Sequence, residues 1–288
     1  MSDRYSSNRS SNPSPEISPE SLSLDEAIAN LQQTQDPDLR YYAAWWLGRF
    51  RVNQPVVVDA LLVALEDESS RSPDGGYPLR RNAARALGKL GELRALPGLM
   101  KCLDCEDYYV RGAAVESLGE LGDRRCVPRL MAFLAGGLEA ATLMPGKPHL
   151  REPYDLVLEA LGSLGATEAI AQIQPFQAHF VEKVQYAAAR ALYQLTGENG
   201  YGEVLVQALA GPDLQLRRAA LMDIGAVGYM PGAGAIANTL AENSLKLIAL
   251  KGLLETHLET HLEQLAQAEH QPLSEQAIQT MDLMDGLL

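Results

Sequence analysis

An aromatic and cationic cluster is the part of this sequence whose residue types are best suited to binding chemistry. Residues 40–50 read RYYAAWWLGRF and hold both tryptophans of the 288-residue chain, although aromatic residues make up only 6% of it. Aromatic faces stack on flat groups, and arginine pairs with carboxylates through two parallel hydrogen bonds. The cluster is therefore either packed core or a surface that binds something planar.

Other residues with chemical potential give weaker patterns. Cys102 and Cys105 form a C-x-x-C pair, but zinc needs four ligands, and only Cys126 is added, with no histidine near it in sequence. His257 and His261 lie four apart without the glutamate position of a metalloprotease, so we interpret them as solvated. No Ser-His-Asp pattern and no phosphate-binding glycine loop stands out. We predict no metal site.

The aromatic cluster is the first of seven copies of one pattern. The copies read RYYAAWWLG, RRNAARALG, RGAAVESLG, YDLVLEALG, QYAAARALY, RRAALMDIG and KLIALKGLL, and they start at Arg40, Arg80, Arg111, Tyr154, Gln185, Arg217 and Lys246. The starts are 40, 31, 43, 31, 32 and 29 residues apart. Offsets +3, +4 and +7 from each start are apolar in nearly every copy, which indicates one buried face of a helix. Offset +8 is glycine in five of the seven.

A second apolar segment lies between successive copies, for example VVVDALLVALED at 56–67 and CVPRLMAFLAG at 126–136. Each unit therefore reads as a helical hairpin, and strand signals are absent. Hairpins of about this length bury their faces on their neighbours in a solenoid. The predicted fold class is all-α, an α-solenoid of about seven HEAT-like helical-hairpin repeats.

The chain outside the repeats divides into a tail, two insertions and a terminal segment. Residues 1–22 are rich in Ser and Pro and cannot bury enough apolar surface to order, so we expect a disordered tail. Order is expected from Ser23, which forms an S-x-x-E capping box with Glu26. We expect a single solenoid over 23–288, with insertions near 68–79 and 136–153 and an amphipathic segment at 273–288.

Long loops that interrupt a compact array are often functional. The second insertion holds Lys147 and His149. A solvated role is the default for both side chains.

Composition excludes several classes of function. A net charge of −13 argues against nucleic-acid binding, which relies on Lys and Arg. Three cysteines are too few for a disulfide framework, no signal peptide opens the chain, and no run of about 18 apolar residues occurs. We therefore expect a cytoplasmic protein without membrane insertion.

The other copies serve as controls for the first. Offsets +1, +5 and +9 are mostly polar in copies two to five, so the equivalent Tyr41, Trp45 and Arg49 are predicted to face outward. The alternative is that the first repeat is a cap and that the preceding segment covers Trp45. Offsets +2 and +6 are mostly small, so Tyr42 and Trp46 are predicted to pack between repeats.

The outward face then changes composition from aromatic to basic to acidic along the solenoid. Arg81 and Arg85 of the second copy either bind a ligand or form surface ion pairs with Glu116 of the third. Both interpretations stay open.

The sequence resembles the E/F-type phycobilin lyases, which are HEAT-like proteins of cyanobacterial and red-algal light harvesting. The resemblance is carried by YYAAWWLGRFRV, by the repeated RxxAAxxLG core, and by G-[DE]-x-x-[AC]-[LV]-P-x-L at 91–99 and 122–130. It runs from about residue 24 to residue 256 and is greatest for E subunits acting on phycocyanin. It implies a heterodimer with an F-type subunit that attaches phycocyanobilin through a thioether bond to a cysteine of the phycocyanin alpha chain. The acceptor protein supplies the thiolate, and no tightly bound cofactor is expected besides phycocyanobilin as substrate.

Site roles follow from combining this resemblance with the repeat geometry. Stacking on the bilin is assigned to Tyr41 and Trp45, and pairing with its propionates to Arg49, Arg81 and Arg85. The candidates for proton transfer are Tyr108, Tyr109, Glu116 and Asp155. The Asn-His-Cys motif of the isomerising F subunit is absent, so isomerisation is not expected.

Two alternatives remain. The chain could be the E subunit of a lyase for phycoerythrocyanin or phycoerythrin. It could also be a non-catalytic HEAT scaffold or chaperone of phycobilisome proteins.

Overall fold

A computed structural model describes residues 22–265 and 273–288 of the chain. The tail predicted to be disordered, residues 1–22, lies outside the described residues except at its last position. Within the described ranges the chain forms no β-strand, and Leu143 and Leu150 make one isolated antiparallel bridge. No helix in these ranges is both long enough and apolar enough to cross a membrane.

Seven helices, which we call the repeat helices, each contain one copy of the repeated pattern. They are α2 (Pro37–Arg49), α4 (Pro78–Leu90), α6 (Tyr108–Leu121), α9 (Tyr154–Ser163), α11 (Glu182–Thr196), α13 (Leu214–Val227) and α15 (Asn243–Leu265). Seven connecting helices precede them: α1 (Leu24–Gln32), α3 (Pro55–Leu65), α5 (Leu96–Cys102), α7 (Val127–Phe133), α10 (Ile170–Ile173), α12 (Asn199–Ala208) and α14 (Ala233–Asn238). Each connecting helix packs on the repeat helix that follows it. The predicted all-α solenoid of about seven helical hairpins is confirmed.

Two α-helices of the described ranges lie outside the seven pairs. The short helix α8 (Gly137–Ala140) belongs to the second insertion. The last helix, α16 (Glu275–Asp285), packs on α14 and α15 and carries the segment predicted to be amphipathic.

Short polar side chains determine where helices begin. At α1 the expected capping box is present, because Ser23 Oγ accepts the Glu26 N–H and the Glu26 carboxylate accepts the Ser23 N–H at 2.9 Å. Asp36, Asp107 and Asp213 likewise accept N–H groups at the starts of α2, α6 and α13. Each such cap typically stabilises a helix by about 1 kcal/mol.

The glycine at offset +8 sets the spacing between adjacent repeat helices. A Cβ atom placed on Gly88 would lie 2.7 Å from the side chain of Ser117 on the next repeat helix. A Cβ atom on Gly48 would lie 2.7 Å from the Cα of Ala86 in the same way. Glycine at this offset therefore lets the repeat helices touch backbone to backbone.

The fifth copy departs from this rule and divides the core. It has Tyr193 at offset +8, and α11 and α13 approach each other less closely than the other successive repeat helices do. The Tyr193 ring packs edge-on against Tyr229, with ring centroids 5.2 Å apart. The buried apolar residues form two clusters that meet at α11. We call the boundary between α11 and α13 the seam.

Candidate functional site

Two insertions into the repeat array meet beside the first turn of α6. The first, residues 66–77, joins α3 to α4, and the second, residues 134–153, joins α7 to α9. With the start of α6 they line a cleft of about 550 Å³. Sites for small organic molecules commonly have volumes of about 300–1,000 Å³. The loops that the sequence singled out therefore form a cavity of suitable size.

Three aromatic rings form one wall of this cleft. The imidazole of His149 stacks on Tyr108, with centroids 3.9 Å apart and planes tilted by 14°. Tyr109 meets the same imidazole edge-on at 5.9 Å, and it is 49% exposed. The second insertion is thus held on α6 by ring contacts, and Tyr109 remains available to a ligand.

Charged side chains stabilise the cleft through hydrogen bonds, and two of its cations form no ion pair among the described residues. Arg111 of α6 donates to the Glu152 carboxylate at 2.8 Å and to the Arg151 carbonyl at 2.8 Å, which fixes the second insertion. Lys147 and the Arg151 guanidinium also line the cleft and form no ion pair within the described ranges. Asp74 and Asp107 line the same cleft, so the formal charges of its described side chains balance, and Lys147 and Arg151 are the cations that an anionic group could contact.

The first insertion is anchored in a similar way. Arg71 donates to the Tyr77 hydroxyl and to the Glu106 carboxylate just before α6. The Tyr77 N–H donates to the Asp107 carboxylate at 2.7 Å. The same aspartate caps α6, so the cleft wall and the start of the helix depend on one side chain.

The predicted aromatic surface lies on α2, two repeat helices before the cleft wall on α6. Trp45 is 40% exposed, as predicted from its repeat offset, and its ring lies 5.4 Å from that of Tyr42. Tyr41 is half-buried against the core. One turn into the next repeat helix, the Arg81 guanidinium lies 6.0 Å from the Tyr109 ring centroid. Trp45, Arg81 and Tyr109 thus stand on three consecutive repeat helices.

The predicted arginines differ in their availability. Arg49 is exposed and has no ion-pair partner among the described residues. Arg85 donates to the Glu116 carboxylate at 3.2 Å, with both side chains nearly half exposed. The surface-pair interpretation therefore describes Arg85, whereas Arg49 and Arg81 form no ion pair with any carboxylate of the described residues.

The structure separates the predicted proton-transfer residues. Burial, followed by the nearby Asp155 carboxylate, raises the pKa of Tyr108 to about 12. Asp155 is buried in the first turn of α9 and pairs with Lys183. Glu116 is committed to Arg85. Of the four candidates, Tyr109 is the one with an exposed, unpaired polar group beside the cleft.

Glu159 is a titrating residue that the sequence analysis did not single out. It lies on α9 at offset +5 and is 29% exposed, with the Arg190 guanidinium 3.7 Å away. Burial raises the pKa of Glu159 to about 7, and Asp223 and Asp155 oppose the effect of Arg190. Arg190 itself pairs more closely with Asp223 across the seam, at 2.7 Å. Only the three-dimensional packing places these carboxylates together.

The cysteines do not gather into a site. Cys102 and Cys126 are buried, and burial raises the pKa of both thiols, that of Cys126 to about 11. Across residues 22–265 and 273–288 no three potential ligands are placed to hold a metal ion.

Comparison with known proteins agrees with this architecture. The HEAT repeats family matches residues 24–119 and 72–139. Phycocyanobilin lyase subunit alpha of Synechocystis sp. is 61% identical over 274 residues, which cover 95% of this chain and 99% of that protein. Bilin biosynthesis protein PecE of Nostoc sp. is 43% identical over 238 residues, which cover 82% of this chain and 88% of that protein.

A solved structure extends the likeness to three dimensions. The complex of CpcE and CpcF of phycocyanin lyase from Nostoc sp. contains a chain that is 55% identical to this one, with a TM-score of 0.84. The match covers 99% of this chain and all of that one. The chain therefore belongs to the family of phycocyanobilin lyase alpha subunits.

Proposed function

We propose that this chain is the alpha subunit of a lyase that attaches phycocyanobilin, through a thioether bond, to a cysteine of the phycocyanin alpha chain. The proposal is carried by the cleft between the two insertions, where the Tyr109 ring lies 6.0 Å from the Arg81 guanidinium, together with the exposed Trp45 two repeat helices earlier. The identity of 61% to a phycocyanobilin lyase subunit alpha supports the same reaction.

The chemistry of an open-chain tetrapyrrole suits this surface. Its conjugated system offers a flat face to aromatic rings, and we assign stacking to Trp45 and Tyr41, with Trp45 the more exposed. Its two propionates need cations, and we assign them to Arg49 and Arg81, which form no ion pair within residues 22–265 and 273–288. Arg85 can bind a propionate only after its ion pair with Glu116 breaks.

The reaction requires little covalent chemistry from this chain. The acceptor thiolate forms the bond to the ethylidene carbon of the bilin, and one proton enters the conjugated system. Holding the thiolate and the bilin in the reactive orientation contributes most of the rate enhancement. Proton transfer was predicted for Tyr108, Tyr109, Glu116 and Asp155, and the exposed Tyr109 hydroxyl is the one of these best placed to approach a ligand.

We propose that the active species is a heterodimer with an F-type subunit. The similar chain of the Nostoc structure is in a complex of CpcE and CpcF. We place the reaction in the cytoplasm, with phycocyanobilin as substrate and no tightly bound cofactor.

The test is an attachment assay with purified components. Wild type, Trp45→Ala and Phe180→Ala are each combined with the F-type subunit, phycocyanobilin and apo-phycocyanin alpha chain. Phe180 is the matched control, since it is 62% exposed and lies outside the cleft. Bilin binding is followed by absorption titration, and covalent product by the zinc-induced fluorescence of the denatured acceptor.

We expect covalent product only when both subunits are present. Trp45→Ala should weaken bilin binding about tenfold, the size of one lost stacking contact, and Phe180→Ala should leave it unchanged. No product with wild type would overturn the lyase assignment in favour of a scaffold. Unchanged binding by Trp45→Ala would remove that residue from the site.

A further inference from the structure

His149 in the second insertion has one ring nitrogen bound and the other free. Its Nδ1 lies 2.7 Å from the Leu150 carbonyl oxygen. A carbonyl oxygen only accepts, so in the neutral ring the proton sits on Nδ1 and the lone pair sits on Nε2. Nε2 has no hydrogen-bond partner within residues 22–265 and 273–288. The neutral imidazole is thus set to accept a proton at Nε2.

The other described histidines are placed differently. His179 is buried, with Nε2 bound to the Ala141 carbonyl at 2.9 Å and Nδ1 accepting the Val181 N–H at 3.0 Å. His257 lies near the C-terminal helix, and its Nε2 is 2.8 Å from Ser274 Oγ. His149 alone of these three combines a fixed tautomer with an open nitrogen in a cavity wall.

Contacts around His149 hold the ring without blocking it. One face stacks on Tyr108, and Tyr109 meets the ring edge-on. Four cations line the cleft, Arg71, Arg111, Lys147 and Arg151. Four carboxylates balance them, Asp74, Glu106, Asp107 and Glu152. The formal charges of the described side chains that line the cleft therefore balance.

We propose that His149 relays the proton of bilin attachment, taking it from the acceptor thiol and returning it to the bilin. This inference rests on the proposed function. It gives the second insertion a catalytic role in which the bilin lies in the cleft, with its ethylidene end beside His149. Lys147 and Arg151 line the same cleft, while the propionates stay assigned to Arg49 and Arg81.

The relay balances without any further reactant. Nε2 removes the thiol proton, and the sulfur lone pair forms the new bond to the ethylidene carbon. The electron pair of the carbon–carbon double bond moves into the conjugated system. The proton on Nε2 then passes to the bilin, and the imidazole returns to its starting tautomer. Nothing leaves, and no atom is oxidised or reduced.

Tyr108 of α6 is less suited to this task. A residue that gives and takes a proton near neutral pH works best when its pKa lies close to that range. The pKa of Tyr108 is raised to about 12, chiefly by burial. Imidazole is the side chain that ordinarily changes charge between pH 5 and pH 8.

The experiment uses the complete heterodimer and measures binding and attachment separately. His149→Phe keeps a flat ring against Tyr108, and His149→Gln keeps a donor for the Leu150 carbonyl. His149→Ala leaves space for added imidazole. His257→Phe is the control for loss of an imidazole elsewhere. Circular dichroism melting checks that each variant is folded. Because His149→Phe and His149→Gln differ in shape, a loss of activity shared by both does not come from one misfolded variant.

We expect all variants to bind phycocyanobilin as wild type does. Attachment should slow about 10²- to 10⁴-fold in all three His149 variants, the usual loss of a general acid–base residue. Imidazole in solution should partly restore His149→Ala and leave His149→Phe unchanged. His257→Phe should attach bilin at the wild-type rate.

Other outcomes distinguish a wrong lyase assignment from a wrong relay. If wild type attaches no bilin, the proposed function itself is wrong. If wild type is active, and His149→Phe and His149→Gln attach bilin at the wild-type rate, the lyase assignment stands and the relay is wrong. If the variants lose bilin binding and imidazole restores nothing, His149 only shapes the cleft and the relay is wrong.

Discussion

Replacing Glu159 by glutamine should change the pH dependence of stability in a predictable direction. Burial raises the pKa of Glu159 from its ordinary 4.5 to about 7. Below about pH 4.5 the carboxyl is protonated in both the folded and unfolded chain. Between these values the folded protein holds a proton that the unfolded chain has released, so the free energy of unfolding falls as pH rises. Above about pH 7 the free energy of unfolding no longer changes with pH through this group.

The size of the effect follows from the same shift. One pKa unit corresponds to about 1.4 kcal/mol, so a rise from 4.5 to about 7 costs the folded protein about 3 kcal/mol at high pH. Glu159→Gln keeps the shape of the side chain and stays neutral at every pH. Relative to wild type, the variant should therefore gain about 2–3 kcal/mol of stability between pH 5 and pH 8.

Urea unfolding followed by tryptophan fluorescence measures this difference. Trp46 packs against the same buried cluster to which the helix that carries Glu159 contributes, so the fluorescence reports the relevant unfolding. Glu116→Gln is the control, because it has the same repeat offset and its side chain is 42% exposed. A difference between wild type and Glu159→Gln that stays constant from pH 5 to pH 8 would refute the burial argument.

Two other predictions concern packing and thiol access. Gly88→Ala should lower the free energy of unfolding by about 1–3 kcal/mol, because its Cβ would lie 2.7 Å from Ser117. Gly234→Ala, where no atom lies within 4 Å of the added Cβ, should not destabilise the protein; equal urea midpoints for the two variants would contradict the close-packing rule. With DTNB, the half-buried Cys105 of the native chain should react first, since Cys126 is buried and its pKa is raised to about 11. Rapid reaction of a second thiol would show that the core opens more readily than its packing suggests.

The repeat made the fold predictable because its signal lies within each helix. Apolar residues at offsets +3, +4 and +7 define a buried face, and seven such faces imply a stack. The same comparison predicted that Trp45 faces outward, since its equivalents are polar, and it is 40% exposed. Glycine at offset +8 was visible in the sequence, and its reason is contact with the next repeat helix.

The cleft could not be predicted in the same way. The stacking of His149 on Tyr108 joins residues about 40 positions apart, through an insertion that has no counterpart in other copies. Periodicity carries no information about how such a loop folds back. The raised pKa of Glu159 likewise depends on other repeat helices, because burial comes from the packing of α9 and Asp223 comes from α13, beyond α11. The repeat pattern shows where the carboxylates lie along each helix, but it does not show which of them is buried.

The seam gives the array a property that a uniform stack would lack. In a linear repeat protein each unit is coupled only to its nearest neighbours, so the weakest coupling sets where the chain divides into cooperative blocks. Tyr193 takes the place of a glycine at that link, and an ion pair between Arg190 and Asp223 spans it. The cleft belongs to the first block, whereas α16 belongs to the second. Movement at the seam would therefore leave the contacts among the residues that line the cleft unchanged.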